Sequence, residues 1–142
     1  MKPDKQALLA QLQRGGPEGP TPEATRSREL MVRAPAREDV RQWFAALEPL
    51  LPPEDDPQLA EFLRLAVMGV CVGFIDRHLS PEVEAHRAIV PLLLDDIQSV
   101  YAQLKALGAT IDRDQFRWRA FDYGIHKAYY LDWTLYLSRE PY

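Results

Sequence analysis

The sequence predicts a predominantly α-helical single domain, a bundle of four to five helices preceded by an N-terminal arm. Three observations carry that prediction. Cap-then-proline pairs recur at Asp56-Pro57 and Ser80-Pro81, and Gly108 offers the left-handed residue that ends a helix. Residues 65–75 form an unbroken apolar run of 11, which suits a helix buried on several sides. Nine of the fourteen aromatic residues lie in the last 27 positions, more apolar surface than one terminal segment can pack by itself.

Residues 3–13 read as a short helix with Leu8, Leu9 and Leu12 on one face. From Arg14 to Arg28 three glycines and three prolines sit among polar residues, the composition of a flexible linker. The division is therefore an arm and linker over 1–28 and a helical domain over 29–142. A short helix is marginal alone, so the arm needs something to dock on. Leu30, Met31 and Val32 read as a short strand or extended lead-in.

Residues 38–51 form the next helix, burying Val40, Trp43, Phe44 and Leu47, with Pro35 and Pro52-Pro53 outside its ends. Asp56 then caps a helix running from Pro57 to about residue 79. Gly69 and Gly73 fall on one face of it, where another backbone can come close. The run is too short for a membrane dimer motif, so close packing of soluble helices is expected. Ser80-Pro81 starts a further helix towards Leu107, with Pro91 interrupting or kinking it.

The C-terminal segment has two readings. Residues 115–120 and 130–137 alternate polar with apolar, so an α+β fold with a hairpin of about 115–122 and 129–138, turning near Gly124, is the alternative. The helix is favoured. Asp112 and Gln115 make an approximate capping box, and no Asn-Gly or Asp-Gly turn marks a hairpin. On a helix over 112–139, Phe116, Tyr123, Tyr130 and Leu137 form one stripe, and Phe121, Ile125, Ala128 and Leu135 a second. One stripe can face the core; the other needs a cover.

Charge and composition narrow the functions. A net charge of −4 argues against nucleic-acid or anionic-membrane binding by charge alone. Arg113, Arg117, Arg119 and Lys127 interleave with the C-terminal aromatics, as a base-stacking platform requires, but five acids balance five bases over 112–142. The single cysteine, Cys71, lies in the apolar run and reads as a core side chain. The N-terminus carries no signal-peptide pattern, and the expectation is a cytoplasmic protein.

No metal or cofactor is expected. His78, Glu82 and His86 have i, i+4 spacing, but Ser80-Pro81 breaks any helix between them. Asp76, Asp95 and Asp96 read as solvated faces of long helices. Neither a phosphate-cradling glycine motif nor a nucleophile elbow is present.

Arg119 and His126, separated by six residues, carry the one catalytic pattern. The pair resembles the Arg-x(4–6)-His signature of the HEPN family, small all-helical domains that include RNases. The resemblance covers these two positions and a helical context, and Ala120 stands where many members place a polar residue. It implies a metal-independent RNase in which Arg119 stabilises phosphate charge and His126 acts as general acid or base. The other reading of the same residues is a surface arginine and a histidine paired with Asp122, four residues before it.

The favoured expectation is non-catalytic: a protein–protein association module of regulatory, adaptor or toxin-neutralising type, forming a homo- or hetero-oligomer. The expected interface residues are Phe116, Tyr123, Tyr130, Trp133 and Tyr136, since interface cores favour aromatic side chains.

Overall fold

A computed structural model describes residues 4–13, 21–82, 84 and 86–138, without the side chains of 131–138. Six α-helices are present among the described residues: α1 (Lys5–Gln13), α2 (Pro22–Arg33), α3 (Glu38–Leu47), α4 (Pro57–Asp76), α5 (His86–Ala106) and α6 (Arg113–Ser138). Short 3-10 turns, Ala34–Ala36 and Glu48–Leu50, follow α2 and α3. The fold is predominantly helical, and one of the six helices is additional to those the sequence predicts.

The additional helix is α2. Pro22 to Arg28, read as linker, and Leu30 to Val32, read as a strand or lead-in, are one continuous helix. Thr21 caps it, its hydroxyl accepting from the Ala24 amide at 3.1 Å, and Pro22 takes the first helical position. Tertiary contacts then hold it: Ser27 donates to Asp122 at 2.8 Å, and Arg28 pairs with Asp114 at 2.8 Å. In α1, Leu8, Leu9 and Leu12 are buried, and the helix lies against α5 and α6. Residues 14–20 lie outside the described residues.

α4 is the central element. Asp56 caps it, accepting from the Gln58 amide at 2.9 Å, and α3, α5 and α6 pack around it. By length and composition alone α4 could cross a bilayer, with mean hydropathy 1.7, yet 56% of that stretch is buried within the chain. It ends in a Schellman motif: the Leu79 amide donates to the Phe74 carbonyl and the His78 amide to the Ile75 carbonyl, both at 2.9 Å. His78 takes the left-handed position, at φ 57°, where glycine is usual. α5 ends the same way on Gly108, at φ 69°.

The next helix starts later than Ser80-Pro81 suggests. Residues 81, 82 and 84 are in turns, and α5 begins at His86. The Ser80 hydroxyl accepts from the Glu82 amide at 3.2 Å and bonds the Glu82 side chain, closing a local turn in place of a helix cap. Pro91 lies inside α5, as expected.

No hairpin forms: 115–122 and 129–138 are both parts of α6. Asp112 accepts from the Gln115 amide at 3.0 Å and starts the helix. Over 115–120 the apparent alternation arises because the first half of α6 is enclosed on several sides: Gln115, Phe116, Trp118, Arg119, Ala120, Phe121 and Tyr123 are all buried. Gly124 cannot serve as a turn, since it lies against the backbone of Ala66 and Val70 in α4.

α4 and α6 run parallel and in register. Phe62 stacks on Phe116 with ring centroids 4.1 Å apart, Gly73 meets Ile125 and Ala128, and Asp76 accepts a hydrogen bond from Tyr129. Gly69, Gly73 and Gly124 allow the contact, because a Cβ at any of them would collide with the facing helix. The close approach expected of the α4 glycine pair is therefore made with α6.

Candidate functional site

The antiparallel pairing of α2 with α6 leaves a cavity of about 310 Å³ between them, closed at one side by the end of α4. α2 contributes Pro22, Glu23, Arg26, Ser27 and Leu30. α6 contributes Asp122, Ile125, His126 and Tyr129, which the 3.6-residue period brings onto one face. Asp76 comes from the last turn of α4.

Asp122 organises the floor. Its carboxylate accepts from the buried Ser27 hydroxyl at 2.8 Å and lies 3.3 Å from His126 Nδ1. That nitrogen is also 2.8 Å from the Asp122 carbonyl and donates to it. The Asp122 carboxylate and carbonyl hold the proton on the ring, lifting His126 to about 9 against the opposing effect of burial. His126 is an imidazolium at neutral pH, with Nε2–H directed away from these partners.

Serine, aspartate and histidine are thus adjacent, but not as a nucleophilic relay. In such a relay the serine hydroxyl gives its proton to the histidine. Here Ser27 donates to Asp122, and the histidine is already protonated. An acid–phenol pair completes the lining: Tyr129 donates to Asp76 at 2.6 Å, and burial followed by that bond pushes the phenol up to about 12. The Arg77 guanidinium lies 5.6 Å from the centre of the Tyr129 ring.

Arg119 goes elsewhere. It is buried, donates through Nη1 to Gln11 of α1 at 3.0 Å, and lies over the Trp118 ring at 4.5 Å. The arginine therefore faces α1 and the histidine faces α2. His126 makes the pairing with Asp122 that the i, i+4 spacing suggests.

The expected interface residues also divide. Phe116 is fully buried on Phe62, and Tyr123 is buried, donating to Asp96 at 2.6 Å beside Lys127. Tyr130 is half-buried. The side chains of Trp133 and Tyr136 lie outside the described residues. His78, Glu82 and His86 occupy the α4 terminus, a turn and the buried start of α5, and Asp76 and Asp96 accept from separate tyrosines. Among the described residues no group of three or more acidic, histidine or cysteine side chains is arranged to hold a metal ion. Cys71 is buried in α4, and burial pushes its thiol up to about 12.

With α4, α5 and α6 in view, the family model described as a domain of unknown function, DUF8786, matches residues 51–138. The chain belongs to this family. The DUF8786 segment comprises the three long helices and leaves α1, α2 and α3 outside it. The cavity accordingly has one wall from within the family segment and one from outside. No curated protein and no solved structure matches the chain.

The α2 wall was missed at the level of sequence because Pro22, Glu23, Arg26 and Ser27 sit in a stretch rich in proline and glycine. Thr21-Pro22 is the signal that could have found it, the same cap-then-proline pair that marks α4.

Proposed function

We propose that the chain is a non-catalytic protein–protein association module that forms a homo-oligomer through the C-terminal end of α6, in the cytoplasm. The register of α4 and α6 carries the reading. α4 stops at Asp76, which pairs with Tyr129, while α6 runs on to Ser138. Residues 131–138 therefore extend about 12 Å past the end of α4. Their sequence includes Leu131, Trp133, Leu135, Tyr136 and Leu137, the residue types that dominate interface cores.

Phe116 and Tyr123 already pack within this chain, so the interface centres on Tyr130, Trp133 and Tyr136. A regulatory, adaptor or toxin-neutralising protein would use such an end to hold a second copy. The RNase reading has less support: Arg119 is engaged by Gln11 on the α1 side of α6, while His126 lines the cavity against α2.

The test replaces Trp133 and Tyr136 by glutamate together. The expected result is a species of half the mass on size exclusion with light scattering, at unchanged helix content. An unchanged mass would overturn the choice of surface. RNA cleavage abolished by His126→Ala in a folded protein would overturn the non-catalytic reading.

A further inference from the structure

The cavity between α2 and α6 has an uneven complement of unengaged polar groups. Its two inner carboxylates are occupied, Asp122 by Ser27 and His126, and Asp76 by Tyr129. Two cationic donors are not. Arg26 on α2 has no hydrogen-bond or ion-pair partner among the described residues, and neither has His126 Nε2 on α6. The same cavity is also lined by the apolar surfaces of Pro22, Leu30, Ile125 and the Tyr129 ring. A volume of about 310 Å³ is at the small end of ligand sites.

We propose that this cavity binds a small organic anion, a carboxylate on an aromatic or branched apolar body. The carboxylate sits between Arg26 and His126 Nε2, and the body rests on Leu30, Ile125 and the Tyr129 ring. Charge-assisted bonds from two donors on different helices fix its orientation. Glu23, three residues before Arg26, makes no hydrogen bond or salt bridge among the described residues but already acts electrostatically on His126, so it competes for the same cations.

Glu23 makes the sign of the preference testable. An anion site is strengthened when Glu23 is neutralised; a cation site is weakened. The charged groups facing His126 are Glu23 and Arg26 from α2, Asp76 at the end of α4, and Asp122 on α6 itself. Because the imidazolium persists to about pH 9, affinity should be level through neutrality and fall as pH rises through that value.

The experiment titrates benzoate into the full chain, read by the His126 ring resonances and by calorimetry, with benzamide as the neutral isostere. Expected are saturable binding of benzoate, about tenfold weaker binding of benzamide, and about fivefold losses in Arg26→Ala and His126→Gln. Glu23→Gln should bind more tightly. Equal binding of the two probes, weaker binding by Glu23→Gln, or no saturation by about 20 mM benzoate overturns the proposal. Glu23 is exposed, so its variant keeps the test decisive even where the other two lower stability.

Discussion

Gly69 of α4 meets Phe121 of α6 backbone to backbone, so closely that a Cβ on Gly69 would overlap the Phe121 carbonyl. In an open helix Gly→Ala gains about 1 kcal/mol of helix propensity. Here the new methyl faces backbone, which no rotamer change can move aside. Overpacking of this kind costs about 1–3 kcal/mol, occasionally more. With the cost at the upper end of that range, Gly69→Ala should lose about 1–2 kcal/mol net, read as a lower urea midpoint at unchanged slope. A neutral or stabilised variant would mean that the two helices stand further apart.

His78 offers the opposite sign. It occupies the left-handed position of the Schellman motif that ends α4, a conformation costing a non-glycine residue about 1–2 kcal/mol. His78→Gly should stabilise the protein by about 1 kcal/mol, part of the gain being offset by the freer unfolded chain. Loss of stability in urea unfolding would contradict this ending for α4.

Cys71 is a built-in reporter of opening. Burial leaves its thiol neutral throughout the physiological range and shields it from reagents. A maleimide should label it only at the rate of unfolding, and the rate should rise in Gly69→Ala. Rapid labelling of the native chain would place α4 nearer solvent than the fold has it.

The Asp122–His126 pair predicts a pH dependence. His126 titrates near 9 in the folded chain against 6.5 for a free imidazole, so folding favours the protonated form. The stabilisation is fully present below about pH 6.5 and is lost as pH rises through 9. In Asp122→Asn the titration should return towards 6.5 and that loss should flatten. A ring titration near 6.5 in the unaltered chain, followed by NMR, would contradict the pairing.

What was legible in the sequence follows from how local each signal is. Asp56-Pro57, Gly108 and Asp112 act within one turn of chain, and the glycine pair of α4 could be placed on one face by spacing alone. The pairing of His126 with Asp122 belongs to the same class. α2 did not, because its stability comes from Ser27 on Asp122 and Arg28 on Asp114, partners that lie 95 and 86 residues away. A 12-residue helix in polar, proline-flanked sequence is marginal without such contacts. The cavity was hidden for the same reason, since half of its wall is α2. The alternation over 115–120 that suggested a hairpin came from burial of the first half of α6 on several sides, which leaves too little polar face there to reveal the helical period.

The association claim rests on residues 131–138 running past α4. Sedimentation velocity of the unaltered full chain over a wide concentration range tests it most directly. The account predicts a dimer or larger species that gives way to monomer on dilution; a single monomer at every concentration would contradict it.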